Sequence, residues 1–148
     1  MTDVLQVVVV EDHPSMRSGL ELLLPKHGFR VIGSAGSVAA GNAMIAARRP
    51  DVAVVDIELG DGSGIALART IAAGDPPIPV VLYTGHVDHK VLEEAVDSGA
   101  SGVVLKTSPL EDLARALRAA AAGGTFIDQA VSISLRSVAA DAPRRLSR

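Results

Sequence analysis

The chain of 148 residues contains no cysteine. That excludes a disulfide framework and any thiolate metal centre. An excess of charge of one sign is missing as well: 14 Lys and Arg stand against 17 Asp and Glu, a formal net charge of −3, and the sequence pI is about 5.7. The basic footprint with which nucleic-acid binders hold a phosphate backbone is missing, so these residues are not expected to bind DNA on their own. No apolar run approaches the roughly 20 residues that span a bilayer, and no charged-then-apolar signal segment opens the chain. The expectation is a soluble cytoplasmic protein with no membrane partner. The length suits one domain with a single core.

What the chain does have is an alternation. Val7-Val8-Val9-Val10, Val52-Ala53-Val54-Val55, Val80-Val81-Leu82-Tyr83 and Val103-Val104-Leu105 are continuous apolar runs, as expected of parallel strands covered on both faces. Phe29-Arg30-Val31-Ile32 is a fifth, weaker run. Met16, Leu20, Leu23 and Leu24 keep helical spacing, with Pro14 or Ser15 to start the helix and Gly28 to end it. Residues 38–48, 64–73, 87–98 and 110–122 read as four more helices, each delimited by Gly, Pro or Asp. The count is (βα)5. It predicts an α/β, doubly wound parallel sheet with right-handed crossovers and helices on both sides. The flavodoxin-like strand order 2-1-3-4-5 places the ligand crevice beyond the carboxyl ends of strands one and three.

The residues at those ends are polar. Strand one runs into Glu11-Asp12, strand three into Asp56, strand four into Thr84 and strand five into Lys106. Taken singly each has an ordinary reading: a solvated turn for Glu11-Asp12 and Asp56, a strand end for Thr84, a surface lysine for Lys106. Their joint occurrence on the correct ends of the correct strands is what points to a site. Strands one and three are neighbours in the expected order, so Glu11, Asp12 and Asp56 converge. Three carboxylates that close repel unless a cation sits among them. An all-oxygen set of this kind suits Mg²⁺, which takes one or two carboxylates plus waters or a phosphate oxygen.

Four strings, Val10-Glu11-Asp12-His13, residues 55–64 around Asp56, Leu82-Tyr83-Thr84-Gly85-His86 and residues 99–106 ending in Lys106, together resemble the response-regulator receiver domains of two-component systems, the CheY-like fold. The likeness covers about residues 5–123. It implies that Glu11 and Asp12 are the acidic pair holding Mg²⁺ or Mn²⁺, that Asp56 accepts a phosphoryl group from a sensor histidine kinase, and that the Glu58 backbone carbonyl completes the metal set. It implies Thr84 as the switch hydroxyl and Lys106 as the cation that meets the phosphoryl group. The chain would then be a signalling switch, catalysing only its own phosphoryl transfer and dephosphorylation.

Three positions depart from the family pattern. Val103 stands where an aromatic side chain usually turns with the switch threonine, Gly60 where many relatives have Pro, and Thr107 where many have Pro after the lysine. Gly60 predicts a looser loop after Asp56. The isomer of the Lys106–Thr107 peptide is left open.

Competing folds of the same class fit poorly. A flavin-phosphate loop would be repelled by Glu11-Asp12, the nucleotide-binding glycine motifs are absent between the first strand and helix, and an aspartate-nucleophile phosphatase would need D-x-D where Asp12-His13-Pro14 stands.

The expected division is a receiver at 1–124, followed at 125–148 by an extra short helix and a linker. Gly-Gly-Thr-Phe-Ile-Asp at 123–128 and the closing Arg145-Leu146-Ser147-Arg148 resemble the receiver-to-effector junction of NarL/FixJ (LuxR-type) regulators. That resemblance implies transcriptional control through a helix-turn-helix domain outside this chain, DNA contact through that domain alone, and a homodimer promoted by phosphorylation. The alternative is a stand-alone receiver acting through protein contacts.

Overall fold

The computed structural model describes residues 4–85 and 88–136. The five expected strands are all present, as β1 (Leu5–Val10), β2 (Phe29–Ala35), β3 (Val52–Asp56), β6 (Val80–Thr84) and β7 (Gly102–Leu105). Two short additions, β4 (Glu58–Leu59) and β5 (Gly62–Ser63), form an antiparallel hairpin beside the sheet, and a sixth parallel strand, β8 (Phe126–Ile127), closes its edge. The main sheet runs β2-β1-β3-β6-β7-β8. Its first five members keep the expected order, with the carboxyl ends of β1 and β3 side by side.

The helices are α1 (Pro14–Leu23), α2 (Val38–Arg48), α3 (Gly64–Ala72), α4 (His89–Val96) and α5 (Leu110–Ala121). Each start has a local cause. Pro14 opens α1, whose last turn tightens into a 3-10 segment at Leu24–His27 that Gly28 stops in the left-handed conformation, φ 90°. Ser37, Ser63 and Asp88 cap α2, α3 and α4 with side-chain oxygens. Glu111 and Asp112 sit in the first turn of α5, where the helix dipole favours negative charge.

Strand residues alternate between two cores. Val8, Val10, Ala53, Val55, Leu82, Val103 and Leu105 face the layer containing Ile45 of α2, Leu67 of α3 and Leu92 of α4. Val7, Val9, Val52, Val54, Val81, Tyr83 and Val104 face Leu20 of α1 and Leu113 and Leu117 of α5. The central strands β1, β3, β6 and β7 are thus covered on both sides, which is why they read as apolar runs, while β2 at the edge is only half-buried.

Several expectations change in detail. Phe126 and Ile127 form a strand rather than the start of a helix, and the helical segment begins only at residue 129 and continues to 136. Val131 of that segment lies fully buried in the core, so the sheet and its packing continue past the expected division at residue 124. Leu23, expected on the packed stripe of helix one, is 42% exposed. The start of helix four expected at Val87, the His86 of the fourth-strand string and the 145–148 string lie outside the described residues. Among the described residues the one cis peptide is Asp75–Pro76, so Lys106–Thr107 is trans. No helix among the described residues is long and apolar enough to cross a membrane.

Candidate functional site: the carboxyl ends of the strands

The backbone delivers the polar residues to one place. β1 pairs with β3 so that Val10 faces Val55, and β3 pairs with β6 so that Asp56 faces Tyr83. Glu11, Asp12, His13 and Asp56 each offer one ligand atom, and these atoms lie within 4.8 Å of one another. Glu11 is 1% and Asp56 5% exposed. Lys106, on the loop after β7, reaches between the two buried acids: its Nζ donates to Glu11 Oε1 at 2.7 Å and to Asp56 Oδ2 at 3.1 Å.

The remaining contacts divide the acids by task. Glu11 Oε2 accepts from the His13 backbone N–H and faces its Nδ1, both at 3.1 Å, while the Glu11 carbonyl accepts from Arg17 at 2.8 Å. Both oxygens of Glu11 are therefore engaged. Asp56 Oδ1 accepts only weakly, from the Glu58 N–H at 3.3 Å, which brings the Glu58 backbone against the acid. Asp12 Oδ1 is buried and accepts no hydrogen bond; the His13 imidazole nitrogen lies 3.2 Å away. An orphaned carboxylate oxygen aimed into a cluster of acids is the arrangement a small hard cation completes. The residues present fit Mg²⁺.

Charge in this space is unevenly tolerated. Burial raises the Asp56 pKa, and the nearby Glu11 charge adds to that, outweighing the opposing hydrogen bond from Lys106; its carboxyl lies above the ordinary range. Burial also works against Glu11, but hydrogen bonds from Lys106 and His13 prevail and hold its carboxyl below the ordinary range. Lys106 is desolvated too, yet its two carboxylate partners keep its pKa above that of a free lysine. Burial pushes the neighbouring Tyr83 hydroxyl up.

Thr84 ends β6 fully buried, and its carbonyl accepts the Lys106 N–H at 2.7 Å. Val103 stands apart from this cluster, fully buried between Gly102 and Val104 and paired with Leu82. The loop after Asp56 has more fixing than Gly60 suggests. Gly60 and Asp61 turn the β4–β5 hairpin, and Asp61 accepts from the Val38 and Ala39 N–H groups at 2.7 and 3.2 Å, binding the loop to the start of α2. Beyond the hairpin, a Cβ on Gly64 would stand 1.9 Å from the Asp56 carbonyl oxygen; only glycine lets α3 begin that close.

Sequence reasoning missed His13, Arg17, Asp61 and Asp128. His13 sits inside the Glu11-Asp12-His13 string and Asp128 closes the Phe-Ile-Asp string, so both were within view; their contacts depend on tertiary placement that no spacing rule carries.

Comparison with known proteins agrees with this geometry. Residues 7–118 match the model of the response regulator receiver domain, and the chain belongs to that family. It is 37% identical over 131 residues to the DNA-binding transcriptional activator DevR/DosR of Mycobacterium tuberculosis, an alignment covering 88% of this chain and 60% of that protein. The chain thus spans about three fifths of that relative's length. Among solved structures it is similar to a two-component response regulator of the LuxR family from Aurantimonas, at 25% identity, TM-score 0.86, with 93% of this chain and 99% of that chain covered. It is also similar to the signal receiver domain of the response regulator NarL from Mycobacterium tuberculosis, at 30% identity, TM-score 0.75, covering 82% and 99%. More narrowly, the chain is a receiver of the LuxR/NarL type of two-component response regulators.

Proposed function

We propose that Asp56 is the residue that receives the phosphoryl group, from a sensor histidine kinase, and that the resulting acyl phosphate resets the surface around β6, α4 and β7. The observation that supports this reading most directly is the placement of Asp56 between a lysine and an orphaned carboxylate: Lys106 Nζ is 3.1 Å from Asp56 Oδ2, and Asp12 Oδ1 is buried without a hydrogen-bond donor.

The chemistry follows from the groups in reach. An Asp56 carboxylate oxygen attacks phosphorus in line, the new P–O bond forms as the donor's bond to phosphorus breaks, and the leaving group departs with that electron pair. Asp12, Asp56, Glu11 and the Glu58 carbonyl are the groups to hold Mg²⁺ or Mn²⁺, which when bound supplies charge stabilisation for the phosphoryl oxygens. Lys106 supplies the protein's own positive charge to the same oxygens. The acyl phosphate then carries acceptor oxygens at the strand ends, to which the Thr84 hydroxyl donates, drawing the loop between β6 and α4 toward the site.

The output we propose is transcriptional. DNA would be contacted only by an effector domain outside this chain, with phosphorylation favouring a homodimer of cytoplasmic regulators. The DNA-binding function in the name of the DevR/DosR relative supports that reading. Acetyl phosphate with Mg²⁺ followed by intact-protein mass spectrometry tests the central step: the wild-type chain should gain one phosphoryl group and Asp56→Asn none. Undiminished labelling of the variant would remove Asp56 from this role.

A further inference from the structure

Three acidic side chains among the described residues are buried. Glu11 and Asp56 belong to the strand-end cluster; the third, Asp128, is 2% exposed and lies beyond β8. A buried carboxylate is costly unless hydrogen bonds compensate it. Asp128 has three donors, all neutral. Its Oδ1 accepts the Ala130 N–H at 3.0 Å, capping the helical segment 129–136. Its Oδ2 accepts the Leu105 N–H at 3.0 Å and the Ser108 hydroxyl.

The sheet explains how it gets there. Phe126 N–H donates to Ser101 O and Asp128 N–H to Val103 O, each at 2.9 Å, continuing the parallel ladder in steps of two. At Leu105, the next rung, the chain after β8 has already turned into the helical segment, and the Asp128 carboxylate serves as the acceptor. Leu105 and Ser108 bracket Lys106. The Lys106 N–H is itself held by Thr84 O at 2.7 Å, and Ser108 N–H by Leu105 O at 3.1 Å. The stretch that aims the lysine at Glu11 and Asp56 is therefore gripped from the C-terminal segment.

The geometry points to Asp128 as a positioning residue for phosphoryl transfer: it fixes the chain on both sides of Lys106, and through its second oxygen ties the segment 129–136 to the reactive site. This rests on Asp56 being the phosphoacceptor. An uncapped loop end lets the ammonium drift from its place opposite Asp56, and displacements on the order of 1 Å cost about 100-fold in well-aligned reactions.

The experiment follows the rate of Asp56 phosphorylation by acetyl phosphate with Mg²⁺ in wild type, Asp128→Ala, Asp128→Asn and Ser108→Ala, each also in a Lys106→Ala background. Asp128→Ala should lower the rate at saturating donor by about tenfold with the half-saturating concentration unchanged. Asp128→Asn, which keeps a carbonyl oxygen for Leu105 and Ser108, should restore most of it. Without the lysine, Asp128→Ala should change the rate by less than about twofold, because its effect passes through Lys106. Equal losses in both backgrounds, or no loss in the first, overturn the assignment. Should Asp128→Ala not fold, Ser108→Ala applies the same test, with a loss of about threefold expected in the lysine background alone. If the wild type takes no label, the phosphoacceptor reading falls separately. The positioning role of Asp128 is then read from the amide resonances of Glu11 and Asp56, which Asp128→Ala or Ser108→Ala must shift; unmoved resonances overturn it.

Discussion

Two acids and one lysine in a small, mostly dry space at the ends of β1, β3 and β7 cannot all be content, and the imbalance is measurable residue by residue. The Asp56 carboxyl lies above its ordinary range in the fold, so the fold favours its protonated form. Its contribution to stability is present in acid and lost as pH rises through the folded pKa. Asp56→Asn removes that cost, and should stabilise the chain at neutral pH by about 1 kcal/mol, the gain fading as pH falls and the wild-type carboxyl protonates. Glu11 has the opposite sign. Its carboxyl is held down by Lys106 and His13 against burial, so its contribution is present above the ordinary carboxylate range and lost as pH falls through the folded pKa. Glu11→Gln should therefore destabilise at neutral pH and matter least in acid. Thermal unfolding of the two variants between acid and neutral pH checks both slopes. At Val103 the expectation is steric. The side chain is fully buried, so Val103→Tyr should cost about 1–3 kcal/mol by overpacking, which denaturant unfolding reads directly.

At the scale of elements, what could be read from the sequence was what repeats. Four of the five main strands are legible because burial on both faces makes nearly every residue apolar, whereas the edge strand β2, with Arg30 exposed, gives only a weaker run; α2 occupies the span expected of it, between Gly36 and Pro50. Phe126–Ile127 is too short to show a period, and its strand state is decided by the ladder to Ser101 and Val103, so only the helix that follows carries a signal in the sequence. The β4–β5 hairpin escaped for the same reason. Of the site, Glu11, Asp12, Asp56, Thr84 and Lys106 were legible because each ends a strand. The bonds of Asp61 to α2 and of Asp128 to Leu105 join residues 23 apart and leave no local trace. Helix α4 is a further element whose start can be tested. Asp88 accepts from the Lys90 and Val91 N–H groups at 2.9 and 3.2 Å, and α4 adjoins the loop that Thr84 is proposed to move. Asp88→Ala should cost about 1 kcal/mol, and hydrogen exchange should quicken first at the α4 amides, with the amides of α1 and α5 slowest to respond.

For the whole molecule, the two cores on opposite faces of the sheet matter more than any single contact. Lys106 and Asp56 sit at the carboxyl ends of the strands, and through Asp128 that end of the sheet also meets the segment 129–136, whose Val131 is buried in the layer shared with α3 and α4. A ligand that organises the strand ends should then be felt on that layer more than on the α1–α5 side. Mg²⁺ with beryllofluoride, a mimic of the acyl phosphate, tests this. Binding to the folded chain alone should raise stability, by about 2.7 kcal/mol at a ligand concentration 100 times Kd. Asp56→Asn and Lys106→Ala should lose most of that gain. Hydrogen exchange mapped over the same titration should show added protection at Leu105, Ala130 and the α4 amides, because coupling is reciprocal: a segment that orders the site is ordered in turn by a ligand bound there. Protection confined to the loops after β1 and β3 would mean that the site and the C-terminal segment share a sheet without sharing a switch.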